Sequence, residues 1–110
     1  MRVNVAVVDC SIIIVSWNVA ELLAACIDSI LASPIAINEK NGDKPIVEII
    51  VVDSASNDQT VPMLRERYPQ VKLLAQDENV GYTRGNNIGL EEAQGRYLFL
   101  LNPDTELIGD

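Results

Sequence analysis

Residues 46–53 read IVEIIVVD: six of the eight are Ile or Val, and the run stops at a carboxylate. Branched side chains in succession suit a strand covered on both faces, since a strand with one wet face would alternate apolar with polar residues. The strand is placed over Ile46 to Val52, with Asp53 at its carboxyl end. Upstream, CSIIIVSW (residues 10–17) has the same character and predicts a second such strand. Downstream, Val71 to Ala75 reads as a shorter strand and Arg96 to Leu101 (RYLFLL) as a fourth.

The segments between them carry helical signals. Asn18 suits an N-cap, with Glu21 three residues later completing a capping-box pattern. Leu22, Cys26 and Ile30, beside Leu23, Ile27 and Leu31, form an apolar stripe that should stop before Pro34. Ser33 to Pro45 holds two prolines and Asn41-Gly42, and reads as a long surface loop. Polar turn material follows Asp53. The next helix starts at Asp58 or Thr60, and Pro62 fits its first turn better if Thr60 is the cap. Its inner face is Val61, Leu64 and Tyr68, and Pro69 ends it. Asn79 to Gly81 makes a turn before a helix over Tyr82 to Ala93, with Gly95 as its C′ stop. Gly85 and Gly89 weaken that helix and need a packing or ligand reason.

The order β-α-β-α-β-α-β gives an α/β fold: a Rossmann-like parallel sheet with helices on both faces and right-handed crossovers. Such sheets bind ligands beyond the carboxyl ends of their strands, near the point where strand order reverses. The residues there are Trp17-Asn18, Asp53-Ser54, Gln76-Asp77 and Asn102 to Asp104. Four polar or acidic strand ends together favour a ligand rim.

Composition narrows the chemistry. The chain has 110 residues, 16 acidic and 8 basic, and a net charge of −8. That balance argues against a nucleic-acid or anionic-membrane surface, which needs clustered Lys and Arg. There is no histidine, so Ser-His-Asp and Cys-His pairs, an imidazole base and His-rich zinc sites are excluded. Cys10 and Cys26 read as buried thiols of a reducing compartment rather than a disulfide framework. Residues 1–9 lack a signal-peptide pattern, and no stretch approaches the ~18 apolar residues of a spanning helix. The expected location is the cytoplasm.

Two carboxylates stand out. Asp53 is either a turn aspartate bonding its own downstream backbone or an acceptor for a nucleobase N–H or a ribose hydroxyl. Asp104, in Asn-Pro-Asp-Thr-Glu, is either a turn or cap residue or a ligand for a hard divalent metal. Neither G-x-x-x-x-G-K-[ST] nor G-x-G-x-x-G follows the first strand. A bound diphosphate would therefore need a metal, helix N-terminal amides or a local cation such as Arg84.

SIIIVSWN, VEIIVVDSASNDQT and ENVGYTRGNNIGLEEAQGRYLFLLNPDTEL together resemble the donor-binding half of family-two inverting glycosyltransferases of the GT-A fold. The rhamnosyltransferase-type bacterial members, enzymes of cell-surface polysaccharide biosynthesis, are the most similar in pattern. The resemblance runs from about Ser11 to Ile108, interrupted by the long loop. It implies that Ser16, Trp17 and Asn18 line the base and ribose pocket, with Trp in place of the commoner Tyr. Asp53 would bind the pyrimidine edge, with Ser54 and Ser56 nearby. Asn79, Gly81, Arg84, Gly85 and Asn86 match a segment that closes over the nucleotide, which would explain Gly85 and Gly89. Asn102-Pro103-Asp104 matches the metal motif usually written Asp-x-Asp, with Asn102 in its first place and Asp104 as the Mg²⁺ or Mn²⁺ ligand.

The implied reaction is a single inverting displacement. An acceptor hydroxyl attacks the anomeric carbon of a UDP- or dTDP-linked sugar while the metal neutralises the departing diphosphate. A carboxylate base takes the hydroxyl proton. In the family that base lies well after the metal motif, so neither Glu106 nor Asp110 is given the role. Residues 1–110 are then expected to be one partial domain, the nucleotide-sugar-binding half of a larger one. Peripheral membrane association of the full-length protein and a homodimer are both compatible with this reading. The alternative is a non-catalytic module that binds nucleotide or only self-associates. A receiver domain would need an acidic pair near strand one and a lysine ending a later strand, where this chain has Trp17-Asn18 and no lysine after Leu74. A sugar nucleotidyltransferase would need a Gly-rich basic loop after strand one, which is missing.

Overall fold

The computed structural model describes residues 7–105. The expectations for residues 1–6, Glu106 and Asp110 lie outside them. The elements are β1 (Cys10–Ser16), α1 (Ala20–Leu31), β2 (Ala36–Ile37), β3 (Ile46–Asp53), α2 (Thr60–Arg67), β4 (Lys72–Ala75), α3 (Gly81–Glu92) and β5 (Tyr97–Leu101). All strand pairs are parallel. β1 lies between β3 and β5. β2 pairs with the start of β3 and β4 with its last four residues, so both flank β3. All eight residues of β3 are buried, as the run IVEIIVVD requires.

The chain moves from β1 outward to β3 and β4, then returns past β1 to β5. Right-handed crossovers put the connections of the outward and return legs on opposite faces. α1 and α2 accordingly pack with Ile12, Ile14, Ile49 and Val51 on one face. Ile88 and Leu90 of α3 pack with Ile13, Val15, Ile50 and Val52 on the other. Helices therefore cover both faces, and the order reverses between β1 and β5.

Several local expectations are corrected. The segment from Ser33 to Pro45 is not all loop: β2 forms within it and buries Ala36. Asn18 does not cap α1, whose N-cap is Val19 with no side-chain bond. The inward stripe of α1 is Leu23, Cys26, Ile27 and Ile30, while Leu22 is exposed. α2 is capped neither by Thr60 nor by its formal N-cap Gln59. Instead Asp58 Oδ1 accepts from Thr60 N–H at 2.9 Å and Thr60 Oγ1 at 2.6 Å. The Thr60 hydroxyl bond, ahead of burial opposing it, holds the Asp58 carboxyl below its usual range. Gly95 is not a left-handed C′ residue; a Cβ there would stand 2.5 Å from the Ser11 backbone nitrogen. Cys26 is fully buried, but Cys10 only partly, and neither is in a disulfide. Burial first, then neighbouring Asp9, raises the Cys10 thiol pKa. No helix among the described residues is long and apolar enough to cross a membrane.

Candidate functional site

The parallel register sets Ser16 of β1 beside Asp53 of β3 at the carboxyl edge of the sheet. Asp53 is 1% exposed. Its Oδ1 accepts from Ser16 Oγ at 2.8 Å and Ser56 Oγ at 2.6 Å, and its Oδ2 from Ser56 N–H at 2.9 Å. These bonds replace the water a buried carboxylate loses. A carboxylate has about four lone-pair positions, so acceptor capacity remains. Asp53 is thus first an organiser of the strand ends.

The loop after Asp53 bonds in two directions. Ala55 has φ 60°, a left-handed backbone that costs a residue with a Cβ about 1–2 kcal/mol. Before it, Ser54 bonds toward α3: Ser54 Oγ donates to Asn79 Oδ1 at 2.8 Å and accepts from Val80 N–H at 2.7 Å. After it, Ser56 bonds to Asp53 and accepts the Asn18 N–H at 2.9 Å. Asn18 itself is left-handed, φ 49°, and its Oδ1 accepts from Asn57 N–H at 2.9 Å. That bond ties the end of β1 to the loop and uses the side chain that was expected to cap α1. Asn79 Oδ1 also accepts from Gly81 N–H at 3.0 Å, and Gly81 has φ 79°, which favours glycine.

Five of the sequence-predicted residues meet in one cleft. Ser16, Trp17, Ser54, Asn79 and Gly81, with Val15 and Tyr82, line a hollow of about 180 Å³. Trp17 is 53% exposed and Tyr82 52%. Tyr82 was missed by the sequence reading. Its signal was an aromatic directly after Gly81 at a helix start. Asn18, Asp53 and Ser56 do not line the cleft but hold its wall from behind. Gly85 lies beneath it, where a Cβ would come within 2.8 Å of Val15 Cγ1, and Gly89 is pressed likewise onto Ile13. Packing, then, accounts for both glycines. Asn86 is 5% exposed, and its Oδ1 has no hydrogen-bond partner among the described residues.

Arg84, Asn102 and Asp104 are not among the residues that line the cleft. Arg84 is exposed, 3.6 Å from Glu78. Asn102 and Asp104 follow β5 in a turn closed by Thr105 N–H to Asn102 O at 3.0 Å, with Pro103 in the second position that suits proline. Asp104 is exposed at its third position. Among the described residues, no three Asp, Glu or Cys side chains group as a metal site. A lone hard oxygen ligand at Asp104 fits a Mg²⁺ or Mn²⁺ ion whose other ligands are diphosphate oxygens and water.

Comparison with known proteins adds an independent line. A sequence profile described as Glycosyl transferase family 2 matches residues 11–110. The minor teichoic acid biosynthesis protein GgaB of Bacillus subtilis is 30% identical over 99 residues, which is 87% of this chain and 10% of GgaB. Across that and two similar curated relatives, the chain spans 10–30% of their length. Staphylococcus aureus TarS in complex with UDP-GlcNAc superposes with a TM-score of 0.74 at 21% identity, over 87% of this chain and 26% of that one. The mannosyltransferase PcManGT of Pyrobaculum calidifontis, in complex with GDP-Man and Mn²⁺, gives 0.70 at 26% identity, over 94% of this chain and 31% of that one.

Proposed function

The chain belongs to glycosyl transferase family 2, and from that membership we propose that its cleft binds the nucleotide of a sugar-nucleotide donor, UDP- or dTDP-linked. The observation that carries this is the convergence of Ser16, Trp17, Ser54, Asn79 and Gly81, from separate segments, on one hollow at the carboxyl edge. Trp17 and Tyr82 offer exposed ring faces on which a planar base can stack. Ser16 and Ser54, held by Asp53 and Asn79, give hydroxyls for base or ribose. Asp53 fixes that wall and keeps lone pairs for a base N–H. Asn86, whose buried Oδ1 has no hydrogen-bond partner among the described residues, does not line the cleft and enters this reading only through the motif it belongs to.

Asp104, beside Asn102, would hold the divalent cation. When bound, that ion supplies Lewis-acid neutralisation of the charge gathering on the departing diphosphate. Arg84, with its weak surface pairing to Glu78, can turn toward the same anion. The reaction we assign to the protein is transfer of the sugar to an acceptor hydroxyl with inversion. None of the described carboxylates is given the role of base.

Trp17 is the single tryptophan, so its fluorescence reports on the cleft directly. UDP, dTDP and GDP should be titrated with and without Mn²⁺. Quenching that saturates with a uridine or thymidine diphosphate and tightens with Mn²⁺ is expected. No response at millimolar nucleotide refutes the donor site. Asp104→Ala should abolish the Mn²⁺ dependence while the circular dichroism spectrum stays unchanged. An unaltered Mn²⁺ response refutes the metal assignment alone.

A further inference from the structure

Positive charge is divided unevenly between the two ends of the sheet. All strands are parallel, so they start at one edge, while the helices start at the other and run back. Lys40 and Lys44 precede β3, Arg65 and Arg67 close α2, Lys72 opens β4 and Arg96 precedes β5, so each lies toward the amino edge. Among the described residues, Arg84, the fourth residue of α3, is the cation of the carboxyl edge. Glu21, Asp58, Asp77, Glu78 and Asp104 are exposed at that same edge. The helix starts there offer an anion little more. At α3, Ser54 Oγ accepts from Val80 N–H at 2.7 Å and Gly81 N–H at 3.3 Å, and Asn79 Oδ1 accepts from Gly81 N–H at 3.0 Å. At α2, Asp58 takes the Thr60 N–H. α1 has no side-chain cap, but Glu21 and Asp58 line the hollow at its start, and their carboxylates repel an anion.

Arg84 is itself engaged. Glu78 lies 3.6 Å from its guanidinium, with both side chains largely exposed. The pair brackets the stretch 79–82, whose Asn79, Gly81 and Tyr82 line the cleft. A diphosphate can be held by helix amides, a local cation or a metal, and here the first two are already in use. We propose that Glu78 sets the metal requirement of donor binding: it competes with the donor's diphosphate for Arg84, so that the anion gains little there unless a divalent cation neutralises it. The inference rests on the donor-site reading and adds Glu78 to it as a specificity-determining residue. An exposed pair of this kind is weak, so phosphate oxygens can replace the carboxylate on Arg84, at the loss of whatever the pair contributes. With a neutral glutamine at position 78, Arg84 is free beforehand. The gain then falls on metal-free binding, and only on a ligand that carries phosphates.

Trp17 fluorescence titrations with UDP and with uridine, each with and without Mn²⁺, provide the test on the parent chain, Glu78→Gln, Arg84→Gln and the double variant. Constant ionic strength keeps screening equal. Both side chains are exposed, so the circular dichroism spectrum should be the same for all four. Glu78→Gln should tighten metal-free UDP by about two- to fivefold, the range an exposed ion pair covers. Uridine should bind as before, and the enhancement by Mn²⁺ should shrink by the same factor. In the Arg84→Gln background the change at position 78 should give a smaller gain. UDP binding by the parent with no gain in Glu78→Gln overturns the role of Glu78 and leaves the donor site standing. So does an equal gain in the Arg84→Gln background, which would be charge repulsion without competition, or an equal gain for uridine. A parent chain that binds neither UDP nor uridine overturns both readings.

Discussion

At 1% exposure, Asp53 keeps its carboxylate inside the protein by accepting from two serine hydroxyls and one backbone N–H. Asp53→Ala leaves those donors without their acceptor and should cost about 3 kcal/mol, at roughly 1 kcal/mol or more per orphaned group. Asp53→Asn should cost about 1 kcal/mol, because its amide oxygen can keep the Ser56 N–H while the two hydroxyls rotate to accept from its NH₂. Urea unfolding of the two variants checks the order, and equal losses would show that the amide of Asn cannot take over the hydrogen bonds of the carboxylate. The sequence marks this residue as a carboxylate ending a strand. It leaves open turn former against ligand acceptor; the bonds observed are a turn former's to Ser56 and one more across the strands to Ser16. Ser56 is three residues away, as a turn aspartate requires, but Ser16 is 37 residues away. That partner is set by the β1–β3 register, which no local pattern reveals. Ala55 is hidden for the same reason: nothing in its side chain announces a left-handed backbone.

At the next scale, α3 sits close to the sheet because two of its residues have no side chain. A Cβ on Gly89 would stand 2.5 Å from Ile13 Cγ2 and 3.3 Å from Val52 Cγ2. Gly89→Ala gains about 1 kcal/mol of helix propensity but must push the helix off β1, an overpacking cost of about 1–3 kcal/mol. We expect a net loss of about 1–2 kcal/mol. Ile13→Ala removes the clashing methyl, so the double variant should be more stable than the sum of the single losses predicts, by at least about 0.5 kcal/mol. Strict additivity in denaturant melts would show that the contact is not limiting. Four of the five strands and the three helices of the described residues were legible to within a residue or two, the strands from short runs of mainly apolar residues and the helices from a stripe or from flanking turn signals. β2 was not, because two residues carry no period. The alignment of Asn18 and Glu21 looked like a capping box, yet Asn18 is drawn away by Asn57 N–H. Gly95 was seen as a helix stop, whereas its real constraint is the Ser11 backbone, 84 positions earlier. Glu48, unremarked inside an apolar run, turns out to hold the same connection by accepting from Ser11 Oγ at 2.5 Å and Gln94 N–H at 2.6 Å.

Across the whole molecule, one face of the sheet depends on α1 and α2 staying together, and Tyr68 joins them. It is 4% exposed at the end of α2. Its hydroxyl donates to Asp28 Oδ1 of α1 at 2.7 Å and lies 3.3 Å from Ala24 O. Burial, then the hydrogen bond to Asp28 and the charge of that carboxylate, push the phenol up to about 12, against an opposing pull from Arg67. An unfolded tyrosine titrates near 10, roughly two units lower. The unfolded chain therefore gives up this proton first as pH rises. The stabilisation from Tyr68 is complete below about pH 10 and drains away between about 10 and 12. Tyr68→Phe keeps the ring in the core and loses the hydroxyl bond, which should cost about 1 kcal/mol at neutral pH. Its stability should then fall less steeply than that of the parent over the same alkaline interval, because one of the titrating groups is gone. Denaturant midpoints at pH 8, 10 and 11.5 for both proteins provide the comparison. Parallel curves would mean that Tyr68 titrates alike in folded and unfolded chains, and the α1–α2 layer would then owe its closure to apolar contact alone. A converging pair of curves would instead place a proton-dependent latch on that layer, while the face packed by α3, held through Gly85 and Gly89, is indifferent to it.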